Sequence, residues 1–250
     1  MAPVTIGIAV DIYEKQYPGH AGGKPVMALR NLRARVAPSE FCVITGPSGC
    51  GKTTLLNIVA GLDRDFAGVL SFEPSHGGAP RIGYVFQSPR LLPWRTVREN
   101  IALVLPRNAD RVELEGLLTE IGLVDVADAY PARLSGGMVR RAALARAFAI
   151  APDLLLLDEP FVSLDTAAAG RLRLLLVGLV SARPATVLFV THDAGEAVAL
   201  ADRILVLSPA PGRVAAEMPI RLPRERRRDP AVAAQLRAEF ARLAADFPAL

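Results

Sequence analysis

Cysteine is nearly absent. The 250-residue chain has two, Cys42 and Cys50, which is too few for a disulfide framework and predicts a reduced compartment. Long apolar runs are missing as well. A membrane-spanning helix needs about 18 or more uninterrupted apolar residues. The longest candidates here, Leu154 to Leu157 and Leu172 to Val180, are short or broken by charge. The N-terminal segment has no basic stretch ahead of an apolar one, so no secretory signal is visible. Internal repeats are lacking too. These absences predict a cytoplasmic protein. Yet 51% of the residues are apolar and the mean hydropathy is +0.30, a greasy balance that points to a surface shared with a partner, such as a membrane protein.

Lysine and arginine number 29 against 25 acids, for a net charge of +4. Arg221, Arg224, Arg226, Arg227 and Arg228 crowd one stretch, opposed only by Glu225. No aromatics interleave them, which argues against a nucleic-acid surface. A solvated tail, a packed segment and a regulatory one all remain open for this run.

The order of patterns along the chain predicts its organisation. Residues 1 to 45 alternate short apolar runs with turn signals, among them Pro18-Gly19 and Gly22-Gly23. Val69 to Phe72 and Ile82 to Phe86 continue this β-rich style. Residues from roughly 90 to 150 read as helical. Asp110 to Glu113 has the form of a capping box, Leu114, Leu117, Leu118 and Ile121 follow at helical spacing, and Gly122 is a stop. Met138 to Ile150 reads as a second helix. Buried strands at Leu154 to Leu157, Thr186 to Val190 and Ile204 to Leu207 then alternate with helices, one opened by Asp193-Ala194-Gly195-Glu196 as another capping box and running to Asp202. This alternation predicts an α/β fold with a parallel sheet covered on both faces. A terminal helix is expected near 230 to 250, with Leu236, Phe240 and Leu243 on one face.

Gly46-Pro47-Ser48-Gly49-Cys50-Gly51-Lys52-Thr53 carries the chemistry. It fits the phosphate-binding loop pattern between an apolar strand end, Val43 to Thr45, and a helix that continues from Thr54. The glycines let backbone N–H groups curl toward phosphate oxygens, and the helix start adds partial positive charge. Lys52 would neutralise β- and γ-phosphate charge, and the Thr53 hydroxyl would ligate Mg²⁺. Cys50 reads as a small filler, not a nucleophile. Asp158 ends an apolar strand where it can bind Mg²⁺ through water, and Glu159 beside it can polarise an attacking water. Ser135 is an N-cap by type, and Gly136 and Gly137 let a backbone approach closely at a second helix start.

With these motifs in this order, the chain resembles the nucleotide-binding subunit of an ATP-binding cassette (ABC) transporter over nearly all of residues 5 to 215. Ser135-Gly136-Gly137, the signature, is the specific part. The resemblance implies a P-loop, RecA-like α/β core with an antiparallel β subdomain and a helical subdomain carrying the signature. Residues 1–228 would form the ATPase domain, its helical part spanning about 90–150, with 229–250 a helical tail. The nucleotide site would take Gly46 through Thr54. Gln87 would join Thr53 and Asp158 at Mg²⁺, and Ser135, Gly136 and Gly137 would meet the γ-phosphate held by a second subunit. Ser163-Leu164-Asp165 matches the loop that crosses between subunits, and His192 the switch histidine at the γ-phosphate. Tyr17, with Tyr13 near it, matches the aromatic that stacks on adenine; a packing tyrosine is the alternative. Met138 and Arg140 depart from the pattern, standing where glutamine is common.

Arg90 to Val97, Ser208 to Val214 and Leu222-Pro223-Arg224 are similar to the nitrate/sulfonate/taurine importer branch. Leu91, Leu92 and Trp94 either dock a permease helix or pack the helical part. The resemblance thus implies an ATPase paired with a second copy or a paralogue. It would sit on the cytoplasmic face of a membrane permease and work with a solute-binding protein. A kinase or GTPase is a poorer reading, because the guanine signal Asn-Lys-x-Asp is absent. The alternative from another class is a non-transport ABC ATPase acting on nucleic acid or ribosomes, but no coiled-coil insert or second cassette appears.

Overall fold

The computed structural model describes residues 5–19, 23–73, 79–105 and 111–245. The chain divides into two compact units, one of Ile6–Gly78 with Thr186–Leu250, the other of Met1–Thr5 with Ala79–Ala185.

The first unit opens with β1 (Gly7–Tyr17), β2 (Val26–Val36), β3 (Phe41–Thr45), α1 (Lys52–Val59) and β4 (Ala67–Glu73). Strands β2, β1 and β4 form an antiparallel sheet, with Ile12 facing Leu32 on one side and Gly68 on the other. Ile8, Val10 and Ile12 alternate inward and are buried, as the period of a strand requires. Strand β3 is buried at every position, so Phe-Cys-Val-Ile-Thr is apolar on both faces rather than alternating. Helix α1 starts at Lys52, two residues before the Thr54 from which the sequence read it.

In the second unit, β5 (Ile82–Val85) is followed by α2 (Val97–Ala102), α3 (Arg111–Glu120), α4 (Gly136–Ala149), β6 (Leu154–Asp158) and α5 (Thr166–Ala182). β5 and β6 run parallel, Ile82 beside Leu154 and Val85 beside Leu157. The reciprocal capping box of this unit belongs to α2: the Glu99 N–H donates to Thr96 Oγ1 at 3.2 Å, and the Thr96 N–H donates to the Glu99 carboxylate at 2.8 Å. Leu114, Leu117, Leu118 and Ile121 are buried as their spacing predicts, and Gly122 ends that run at φ 63°. Asp110, the expected cap of α3, lies outside the described residues. Leu91 and Leu92 are half-buried while Trp94 is 68% exposed, so the apolar segment divides between packing and surface.

The first unit then resumes with β7 (Thr186–Val190), α6 (Ala194–Leu200), β8 (Arg203–Leu207), β9 (Val214–Pro219) and α7 (Pro230–Ala245). β3 pairs in parallel with both β7 and β8, Phe41 beside Val187 and Val43 beside Ile204. β9 adds antiparallel to β8, a strand not expected from its small and polar residues. Helix α6 ends at Leu200, short of Asp202, and its start is only half the expected box. Asp193 accepts the Glu196 N–H at 2.8 Å, but the Glu196 carboxylate takes the Thr191 hydroxyl at 2.6 Å, and Thr191 Oγ1 takes the Asp193 N–H at 3.0 Å. The threonine interposes itself in the return bond. No described helix is long and apolar enough to cross a membrane.

Two arginines of the basic run pack, while Arg221, Arg226 and Arg228 are exposed. Arg227 is buried, and its guanidinium donates to the carbonyls of Leu222, Val198, Ala201 and Ile220. Arg224 donates to the Leu200 carbonyl and to both Asp202 carboxylate oxygens. Together they fasten the end of α6 to the segment after β9, ahead of α7, whose Leu236 and Phe240 are buried. Removing a charged donor from buried carbonyls costs about 2–3 kcal/mol, while a surface change costs within about 0.5 kcal/mol. Arg227→Met is therefore expected to lower unfolding stability in urea melts by about 2 kcal/mol. The exposed neighbour change Arg226→Ala should leave it unchanged, and equal melts for the two variants would refute the clamp.

Candidate functional site

Between β3 and α1 the chain curls into the expected loop. Lys52 is buried, and its ammonium donates to the Gly46 and Pro47 carbonyls, each at 2.8 Å, with Cys50 Sγ at 3.9 Å. The loop therefore closes around the lysine through its own backbone. Gly51 caps α1 in the left-handed region at φ 98°, with no side-chain cap and no acid in the first turn. A Cβ there would meet Leu29 Cδ2 at 2.5 Å, so glycine is required for space as well as conformation. This uncapped helix start, free of side-chain carboxylates, suits an anion. Burial pushes the Cys50 thiol above its ordinary pKa, against the opposing charge of Lys52. It stays a neutral filler, as its position implied.

The loop also lies against the β8–β9 turn, which the sequence marked only by its branch resemblance. Gly212, between β8 and β9, donates its N–H to the Ala28 carbonyl at 2.9 Å and accepts the Arg30 N–H at 3.2 Å. A Cβ at Gly212 would fall 2.0 Å from the Cys50 carbonyl oxygen. Pro211-Gly212-Arg213 was legible as a branch mark; that its glycine props the phosphate loop is a contact of long sequence range, with no local signal.

Tyr17 sits at the end of β1 with its hydroxyl donating to Asp63 Oδ2 at 2.8 Å and lying 3.4 Å from Thr54 Oγ1 on α1. The Lys15 ammonium lies 4.5 Å from the ring centre and donates to Asp63 Oδ1 at 2.8 Å. Burial alone would raise the Asp63 pKa, but the bonds from Lys15 and Tyr17 outweigh it and hold the carboxyl below its usual range. The ring is thus anchored at one edge beside α1 and remains 37% exposed, whereas Tyr13 is 50% exposed.

In the second unit, Asp158 ends β6 and is buried. Glu159 follows in the left-handed region at φ 45°, a conformation that costs a side-chain-bearing residue about 1–3 kcal/mol. Gln87, just past β5, donates its amide to Glu159 Oε2 at 3.2 Å. Ser135 caps α4 and accepts the Met138 N–H at 3.3 Å, which places Gly136 and Gly137 inside the first turn, two residues earlier than the expected start. Ser135, Gly137, Ser163 and Asp165 line one cleft of about 760 Å³. In the first unit His192 follows β7, exposed, just before α6.

A closed glycine loop around a lysine at a helix start, with a carboxylate pair at a strand end elsewhere in the chain, defines a phosphate-loop nucleoside triphosphatase of the α/β class. Residues 29–162 match the ABC transporter family, and the chain belongs to it. It is 47% identical over 235 residues to the aliphatic sulfonates import ATP-binding protein SsuB 2 of Burkholderia cenocepacia, covering 92% of this chain and 87% of that one. It is 40% identical over 235 residues to the bicarbonate transport ATP-binding protein CmpC of Synechococcus elongatus, covering 90% of this chain and 35% of that one. Among solved structures, a dimeric ATP-binding cassette in a post-hydrolysis state with ADP and Pi matches with a TM-score of 0.75 at 30% identity, over 86% of this chain and 99% of that one.

The Gly212 contact has a direct consequence. Gly212→Ala must move the Cys50 carbonyl, and ATP binding measured by fluorescent-nucleotide titration should weaken about tenfold or more, about 1.4 kcal/mol. Gly178→Ala, where a Cβ meets nothing within 4 Å, should bind normally. Unchanged affinity in Gly212→Ala would contradict the propping role.

Proposed function

We propose that this chain is the ATP-hydrolysing subunit of an importer. It would work at the cytoplasmic face of a membrane permease and power uptake of a small sulfonate-like solute delivered by a solute-binding protein. The import ATP-binding proteins it resembles support this reading. The observation that carries it is Glu159, a carboxylate held in a strained turn directly after a buried strand, with Gln87 on one of its oxygens. Such strain persists where surroundings over-determine it, commonly at functional sites.

Gly46 to Thr54 bind the triphosphate, with Lys52 leaving its loop carbonyls for the β- and γ-phosphates, and Tyr17 stacks on adenine. The oxygens of Thr53, Gln87 and Asp158 are hard donors that fit Mg²⁺. When bound, Mg²⁺ neutralises charge on the β- and γ-phosphates. Glu159 takes the proton of the attacking water as general base. His192 contacts the γ-phosphate. Ser135, Gly136 and Gly137 present a helix start to the γ-phosphate held by a second copy, so ATP bridges two chains and ADP does not.

Glu159→Gln should keep ATP affinity within about twofold and lose turnover by about 10²–10⁴-fold in a phosphate-release assay; full activity would refute the base. Stacking on an aromatic is worth about 1–3 kcal/mol. Tyr17→Ala should therefore weaken ATP binding by about tenfold, with Tyr17→Phe close to normal. Loss of affinity in Tyr13→Ala instead would transfer the role.

A further inference from the structure

Helix α4 carries arginines whose guanidinium groups end on main-chain carbonyls. Arg140 Nη1 donates to the Pro160 carbonyl at 2.9 Å and to the Gln87 carbonyl at 3.3 Å. One nitrogen with two hydrogens thus serves both. Arg146, further along the same helix, donates from Nη1 to the Arg90 carbonyl and from Nη2 to the Pro89 carbonyl, each at 2.9 Å. The segment from Gln87 to Arg90 is therefore held to α4 at both ends. Arg140 is half-buried, and it lines one small cavity with Val85, Leu144, Leu157 and Phe161, which confines its stem.

The two carbonyls that Arg140 holds flank the Gln87–Glu159 contact. Pro160 is the residue after the left-handed Glu159, so the bond to its carbonyl pins the main chain on the far side of the strained turn. The Gln87 carbonyl belongs to the residue whose amide meets Glu159 Oε2. A strained backbone keeps its place only while neighbours hold it there, and here one cation holds both sides.

We propose that Arg140 is a positioning residue for hydrolysis: by gripping Pro160 and Gln87 through their carbonyls it sets Glu159 and makes that setting depend on α4, the helix that begins at Ser135. This rests on the reading of Glu159 as general base. Arg140 touches no reacting atom. A displacement of the Ser135 end of α4 would be passed to the Glu159 turn through one side chain.

The test compares the full chain with Arg140→Met, which keeps an apolar stem and removes the donors, and with Arg140→Gln, which returns an NH₂ donor. Hydrogen exchange reports the strap without reference to turnover, since the Val162 and Leu164 amides donate to the Glu159 and Phe161 carbonyls. In Arg140→Met these amides should exchange about fivefold faster or more. Turnover should fall about tenfold with ATP affinity within about twofold, and Arg140→Gln should recover most of the loss. Unchanged exchange, a matched fall in turnover and ATP affinity, or Arg140→Gln no better than Arg140→Met would overturn the proposal. Full turnover in Glu159→Gln would remove the base instead, and the exchange rates would still decide the strap.

Discussion

The phosphate loop lies with its Cys50 carbonyl so close to Gly212 that a Cβ there would fall 2.0 Å from the oxygen. The Lys52 ammonium is held by the Gly46 and Pro47 carbonyls, so the loop closes on its own lysine. Gly51 completes the arrangement by letting Leu29 of β2 press against the helix start. The site is thus a product of the antiparallel sheet and the β8–β9 turn as much as of the loop.

A second theme is the arginine side chain ending on main-chain carbonyls. Helix α4 buries four alanines together with Leu144 and Phe148, and its arginines reach beyond that face. Arg141 donates to the Ile121 and Gly122 carbonyls at the end of α3, and Arg140 and Arg146 grip the loop after β5. Arg227 does the same for α6 and the segment after β9. A guanidinium offers five donors in a fixed fork, so one residue can satisfy several carbonyls that end secondary structure. Both units use this device at the ends of helices and strands.

Much of this was legible in the sequence because it is local. Uniformly apolar strands at Phe41 to Thr45 and Leu154 to Leu157, the phosphate loop, the carboxylate after β6 and the cap at Ser135 all lie within a few residues of their own signal. The missed parts depend on distant partners. β9 has no alternating apolar pattern and gains its identity from β8. Arg140 and Gly212 act on groups far along the chain, and nothing local says which carbonyls they meet. The box at Asp193 to Glu196 fails in one half because Thr191, outside the four-residue pattern, offers a hydroxyl that the pattern does not count. The five-arginine stretch, left open between solvent and packing, divides: Arg227 is buried while Arg221, Arg226 and Arg228 are exposed.

The central physical claim is that a triphosphate joins two copies, its γ-phosphate held at one chain's loop and met by the other's helix start at Ser135. Sedimentation velocity of the purified chain with ATPγS and then with ADP tests this directly. The account predicts a species of twice the monomer mass with ATPγS, a monomer with ADP, and loss of the dimer in Ser135→Asp, where the cap is kept but negative charge meets the γ-phosphate. A distribution that ignores the nucleotide, or an ATPγS dimer that survives Ser135→Asp, would contradict it.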